Sequence, residues 1–188
     1  TWWVINRLAF LVAASNLASF LLYFLQERFP GLQGNAAAQP ATLLVMATGI
    51  AILLAALPAG WLADKIGTKP VLAVSGILAA AGTLVVIAAQ DMSTMTVGAV
   101  LVGVASGAFY SANWALGTQL VPKNEAGRYL GISNLAGAGA GAIGAYIGGP
   151  IGDSSGYVVQ MAIYAALFLF STLALLRIKP VNHKAEHA

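Results

Sequence analysis

The sequence predicts an all-α protein that crosses a membrane six times. Three observations predict it. The 188 residues are 59% hydrophobic and only 8% charged, against roughly a quarter in soluble domains. The charges are clustered, leaving six charge-free runs at 8–26, 29–63, 70–90, 92–122, 129–152 and 154–176. Each run exceeds the roughly 18 residues that suggest a spanning helix. The basic residues also fall almost entirely on one side once six spans are drawn. Backbone polar groups in lipid must be satisfied within the segment, so the runs read as helices, and the alternation of a membrane β-barrel is absent.

The helices are placed at about 3–25, 42–62, 70–89, 94–120, 129–151 and 157–177, as a single bundle followed by a tail over 178–188. With the N-terminus in the cytoplasm, Arg7, Lys65, Lys69, Lys123, Arg128, Arg177, Lys179 and Lys184 all lie inside and Arg28 alone lies outside. That bias follows the positive-inside rule and supports an even number of spans. Both termini are expected in the cytoplasm. The first span is not a signal peptide, because Arg7 lies within it, no clear cleavage site follows and five more spans come after. The chain opens on Thr1 rather than Met, which suggests a processed chain or one cut from a longer protein.

Between the second and third spans lies Gly60-Trp61-Leu62-Ala63-Asp64-Lys65-Ile66-Gly67-Thr68-Lys69. Gly60 is expected to end the second helix and let a neighbour approach. Asp64 is suited to cap a helix start, where free N–H groups and the dipole favour an anion. Gly67 permits a turn with positive φ. Lys65 and Lys69 suit the phosphate level, and Pro70 the first turn of the third helix. Read on its own, the stretch is also compatible with an ordinary positive-inside turn.

The layout resembles the major facilitator signature G-x-x-x-D-[RK]-x-G-x-[RK]. A second stretch extends the resemblance: Trp114-Ala115-Leu116-Gly117-Thr118-Gln119-Leu120-Val121-Pro122-Lys123-Asn124-Glu125-Ala126-Gly127-Arg128-Tyr129-Leu130-Gly131-Ile132 is similar to the "LVP…E.GR..GI" passage of bacterial sugar–proton symporter-like members. Gly148-Gly149-Pro150-Ile151-Gly152-Asp153 also looks like the outer end of a family helix. The resemblance covers nearly the whole chain. It implies one six-helix half of a twelve-helix transporter, with Trp2-Trp3…Arg7 and the short polar tail looking more like the second half. It further implies a charge network that latches the cytoplasmic side during alternating access, with Asp64 paired to Arg128 and Glu125 to Lys65 or Lys69. Solvated loop charges are the other reading, since an exposed pair is worth only about 0–1 kcal/mol.

Asn16, Ser19, Tyr23 and Gln26 form one polar stripe on the first helix. Ser106, Tyr110 and Asn113 form another on the fourth, with Trp114 beside them. In the family these two helices line the central cavity, so Asn16, Ser19, Tyr23, Tyr110, Asn113 and Trp114 are candidate contacts to a small polar solute. Amides and hydroxyls bind polar groups, and Trp and Tyr stack on rings. Hydrogen bonding between helices is the alternative use of the same residues. The glycines of the fifth helix, among them Gly144, Gly148 and Gly152 on one face, and the pair Gly103 and Gly107 on the fourth, read first as close packing. Pro58 is expected to bend the second helix.

No Asp, Glu, Lys or His lies deep in a span, although such groups are the usual mark of proton coupling. Symporter relatives often carry Asp where this chain has Asn113 and again where it has Gln119. Two functions from different classes follow: one half of a secondary transporter, or a facilitator-like structural or assembly subunit that has lost transport. An enzyme is not expected: paired buried acids, a Ser–His or Cys–His arrangement and a Walker-type loop are all lacking. Zero cysteines exclude thiolate metal sites, and His183 and His187 read as a solvated tail, so no metal or cofactor is expected. No basic patch with interleaved aromatics points to nucleic acid. The expected partners are the bilayer, a second six-helix half or membrane subunit, and the solute. The expected location is a bacterial inner membrane.

Overall fold

The computed structural model describes residues 2–120 and 125–178. Within the described residues seven α-helices follow in order: α1 (Trp2–Ser19), α2 (Leu21–Arg28), α3 (Ala38–Ile66), α4 (Thr68–Ala88), α5 (Met92–Leu120), α6 (Ala126–Ser155) and α7 (Tyr157–Ala174). Short 3-10 turns precede α3 and follow α7, and no strand occurs among the described residues. Among the described residues, five helices are long and apolar enough to cross a membrane, and the bent pair α1–α2 makes a sixth span if taken as one.

The first span is therefore one apolar run but two helices, inclined by 56°. No proline or glycine marks the bend. The backbone bonds carry through it, with Phe20 N–H donating to the Asn16 carbonyl at 2.9 Å and Phe24 N–H to Phe20 at 3.0 Å. Side chains on the turn before it bond back onto the helix: Asn16 Nδ2 donates to the Val12 carbonyl at 2.9 Å and Ser19 Oγ to Ser15 at 3.0 Å. Such back-bonding competes with the helical ladder, but Thr42, Thr48, Ser75 and Thr83 make the same bond within unbroken helices, so it does not by itself account for the bend. Beyond the bend, α2 is tied down by Arg28 Nε donating to the Ala89 carbonyl at 3.0 Å and by Tyr157 N–H donating to Glu27 Oε2 at 2.6 Å.

Several local expectations at the signature loop change. Helix α3 does not end at Gly60 but continues through Pro58 and Gly60 to Ile66, so Asp64 sits inside its last turn and caps nothing. A single residue, Gly67 (φ +96°, ψ 154°), connects α3 to α4. With positive φ at that joint, glycine is the residue that avoids a Cβ clash. An unanticipated cap occurs at Asp91, whose Oδ1 accepts from Thr94 N–H at 2.9 Å and whose Oδ2 accepts from the Thr94 hydroxyl at 2.8 Å, starting α5. These bonds hold the Asp91 carboxyl below the ordinary carboxylate range.

The helices pack as a chain of neighbours. Helix α5 lies against both α3 and α4, α4 against α7, and α1 against α6 and α7. Phe10 (α1), Phe109 (α5) and Phe168 (α7) lock the centre, all at 0% exposure, with Phe10 stacked on Phe109 at 3.6 Å and edge-on to Phe168 at 4.8 Å. Helices α3 and α6 are the most exposed of the long helices, and Leu53, Leu54 and Leu57 of α3 face outward. Such an apolar exterior is what lipid or another apolar helix surface accepts.

Candidate functional site

A polar chain runs through the otherwise apolar junction of α1, α5 and α7. Ser171 Oγ donates to the Asn6 carbonyl at 2.9 Å, and Asn6 Nδ2 returns bonds to Ser171 Oγ and its carbonyl, both at 2.8 Å. Asn6 Oδ1 accepts from Asn113 Nδ2 at 3.0 Å, and Asn113 Oδ1 accepts from Arg7 Nη1 at 3.1 Å. Trp3 Nε1 adds a bond to the Asn113 carbonyl at 3.3 Å. Asn6 and Asn113 are fully buried and Ser171 nearly so. Each amide thus has its orientation fixed by the next, and the chain ends on the guanidinium. Buried polar groups are costly unless paired, so such a network specifies one arrangement of its three helices.

Sequence reasoning singled out Asn113, Tyr110 and Trp114, and the structure brings them together around Arg7. The guanidinium carbon lies 5.9 Å from the Trp114 ring centroid. Tyr110 and Trp114 are both partly open, at 38% and 47% exposure. Ser106, one turn earlier on α5, is buried. Arg7 had been counted only among the inner-side charges. The signal that could have found it was its place within the first predicted span, where a cation needs a partner.

The first-helix stripe does not act as a unit. Asn16 is fully buried and turns toward α6, where its Nδ2 also donates to the Ala140 carbonyl at 3.3 Å. Ser19 is exposed and bonds its own helix. Tyr23 stacks on Tyr157 with centroids 5.5 Å apart, beyond the bend. Gln26 closes the following loop, its Nε2 donating to the Gly34 carbonyl at 3.3 Å and its own carbonyl accepting from Gln33.

At the loops, Asp64, Lys65, Glu125 and Arg128 are all exposed, and no ion pair joins Asp64 to Arg128 or Glu125 to either lysine among the described residues. Lys65 Nζ sits 3.8 Å from the Trp61 ring centroid, and Lys69 Nζ donates to the Ile178 carbonyl. Gly60 faces Ser111 of α5, whose Oγ would lie 2.7 Å from an added Cβ. Lys123, Lys179, Lys184, His183 and His187 lie outside the described residues. No cluster of metal-binding side chains occurs among the described residues.

Comparison with known proteins agrees with this architecture. The chain is 28% identical over 134 residues to the minor myo-inositol transporter IolF of Bacillus subtilis (strain 168), a match that takes in 71% of this chain and 30% of that protein. The chain thus spans about a third of the length of the curated relative it matches. Residues 4–188 match the Major Facilitator Superfamily, and with its all-helical, multi-pass form this chain belongs to that family.

Proposed function

We propose that this chain is one six-helix half of a secondary transporter, moving a small polar solute by rocking against a second half or subunit in a bacterial inner membrane. The observation that carries the reading is the polar chain ending at Arg7 beside the partly exposed Trp114, with the partly exposed Tyr110 one turn earlier on α5. An apolar bundle meant only to pack has no need of a cation and two half-open aromatic rings at one spot. The family and the distant similarity to an inositol transporter support a small solute. The polar groups of the site fit one bearing several oxygen atoms.

The signature-loop charges fit a latch that forms in one conformation and opens in the other, with Asp64 against Arg128. The test is a double-mutant cycle on transport, in which effects that simply add would remove the latch. Both termini are placed in the cytoplasm. The absence of native cysteine makes single-cysteine labelling at Lys65 a direct check, expected to report access from the inside only.

The transport reading is tested by reconstituting the full-length protein, with any second half it carries, into proteoliposomes and measuring uptake of radiolabelled myo-inositol and related polyols. Saturable uptake lost in Asn113→Leu supports it. A chain that holds a fixed ratio with other membrane subunits and passes no solute would instead be a structural subunit.

A further inference from the structure

Arg7 is a cation without a described acid. The described acidic residues of this chain are Glu27, Asp64, Asp91, Glu125 and Asp153, each at a helix end or in a loop. The guanidinium is directed into the bundle. Its Nη2 and Nε would lie 3.7 and 3.8 Å from a Cβ added at Gly137 of α6. Gly137 is roughly 16 Å along α6 from its first residue, and Tyr110 roughly 15 Å along α5 from its last, at 1.5 Å per residue. Helices α5 and α6, at 29 and 30 residues, outrun a hydrocarbon layer about 30 Å thick, and Arg7 is itself only five residues, roughly 7.5 Å, into α1, so the charge lies toward the end of the bundle where α1 begins.

Its hydrogen bonding is incomplete in a defined way. An arginine offers five N–H donors. Here Nη1 is taken by Asn113 Oδ1, Nε is buried with no partner, and Nη2 donates to no described residue. Asn113 Nδ2 is committed to Asn6, and its oxygen accepts a single bond from Arg7. The polar chain supplies neutral amides and a hydroxyl, so it orients the guanidinium without neutralising it. Arg7 is partly buried, and an unneutralised charge held partly out of water gains when an anion shares the site.

We propose that Arg7 is the anion-recognition group of this site, and that the solute it receives is a small organic acid whose carboxylate meets Arg7 while its body lies on Trp114 and Tyr110. The proposal deepens the transport reading and rests on it for the meaning of the site. A planar guanidinium suits a two-oxygen anion, and the adjacent ring faces suit a carbon skeleton. The neighbouring Gly137 lets α6 approach the guanidinium closely, since an added Cβ would meet Leu11 at 3.3 Å and Arg7 at 3.7 Å.

The test is equilibrium binding to the intact purified protein, with any second half it carries, read by tryptophan fluorescence at constant ionic strength. The probes are acid–neutral pairs: D-glucuronate with D-glucose, and gluconate with sorbitol. The acid of at least one pair is expected to bind roughly ten- to hundredfold tighter than its neutral partner, the range of a charge-assisted bond made away from bulk water. Arg7→Gln abolishes that preference, and Arg7→Lys retains part of it. Asn113→Asp, nearly the same in shape, places an internal carboxylate on Arg7 and removes the preference; because it also loses the donor to Asn6, thermal unfolding is measured beside it to establish that the fold is kept. Equal binding of acid and neutral partners by the natural protein overturns the assignment, as does a preference that survives Asn113→Asp. Preference with no flux in proteoliposomes would break the transport reading and leave Arg7 as assigned. Flux of neutral solutes with no preference would do the reverse.

Discussion

Two helix seams in this molecule use glycine for opposite purposes. Along α3–α5, a Cβ on Gly103 would lie 2.6 Å from the Thr48 carbonyl oxygen, and one on Gly107 would collide with the Ile52 carbonyl. There the missing side chain brings backbone to backbone, and Thr48 Oγ1 crosses the seam to the Ala99 carbonyl at 3.3 Å. Along α6, where α1 and α7 pack, the glycines receive side chains instead. Gly144 is filled by the Asn16 amide, Gly148 by Gln160 and Tyr164, and Gly152 by Tyr157 and Gln160. The first seam is built for contact between main chains. The second is a row of sockets for polar groups, and one end of it borders Arg7. A glycine in a membrane helix therefore has to be read from what occupies its missing methyl.

Breaking the two seams should give different outcomes. Gly107→Ala is expected to have the largest effect, about 3 kcal/mol, because the obstacle is the backbone of Ile52 and cannot rotate away. Thermal unfolding in detergent would register it, and no single side-chain truncation on α3 should restore it. Gly144→Ala is expected to cost about 2 kcal/mol, since Asn16 must leave its socket and its hydrogen bond to Ala140. Here truncation should help: Gly144→Ala with Asn16→Ala should be more stable than the sum of the single changes by about 1 kcal/mol. Simple additivity would mean that Asn16 does not own the socket. Gly60→Ala is expected to cost about 0.5 kcal/mol, because it meets only the Ser111 hydroxyl, which can turn aside. Gly141→Ala and Gly149→Ala should be within about 0.5 kcal/mol of the natural protein, as nothing lies within 4 Å of either added methyl. A marked loss at either of these two positions would show that their α6 face is covered by a second half or subunit.

The contrast also shows how far the sequence could be read. The seven glycines of the fifth predicted span and Gly152 just beyond it looked alike as letters, and a four-residue spacing picked out Gly144, Gly148 and Gly152. That spacing correctly placed them on one packed face. It could not say that Gly137 belongs beside Arg7, because a glycine carries no mark of its neighbour. The bend between α1 and α2 was equally silent. Neither proline nor glycine marks it, and Pro58 lies inside the unbroken α3. Asp64 was legible as a loop charge but not as a last-turn residue, since α3 outruns its most apolar stretch.

Membrane residence, helical class and family were determined by the sequence alone, because lipid imposes long charge-free runs and leaves charge only at their ends. Those constraints act on each segment separately and so are written along the chain. Which of the polar residues share a site was decided only by the tertiary structure. Asn6 and Arg7 reach Asn113 across more than a hundred residues, and Asn6 reaches Ser171 across 165. Hydrogen bonds between helices depend on rotation and depth of each helix within the bundle, quantities that only packing sets.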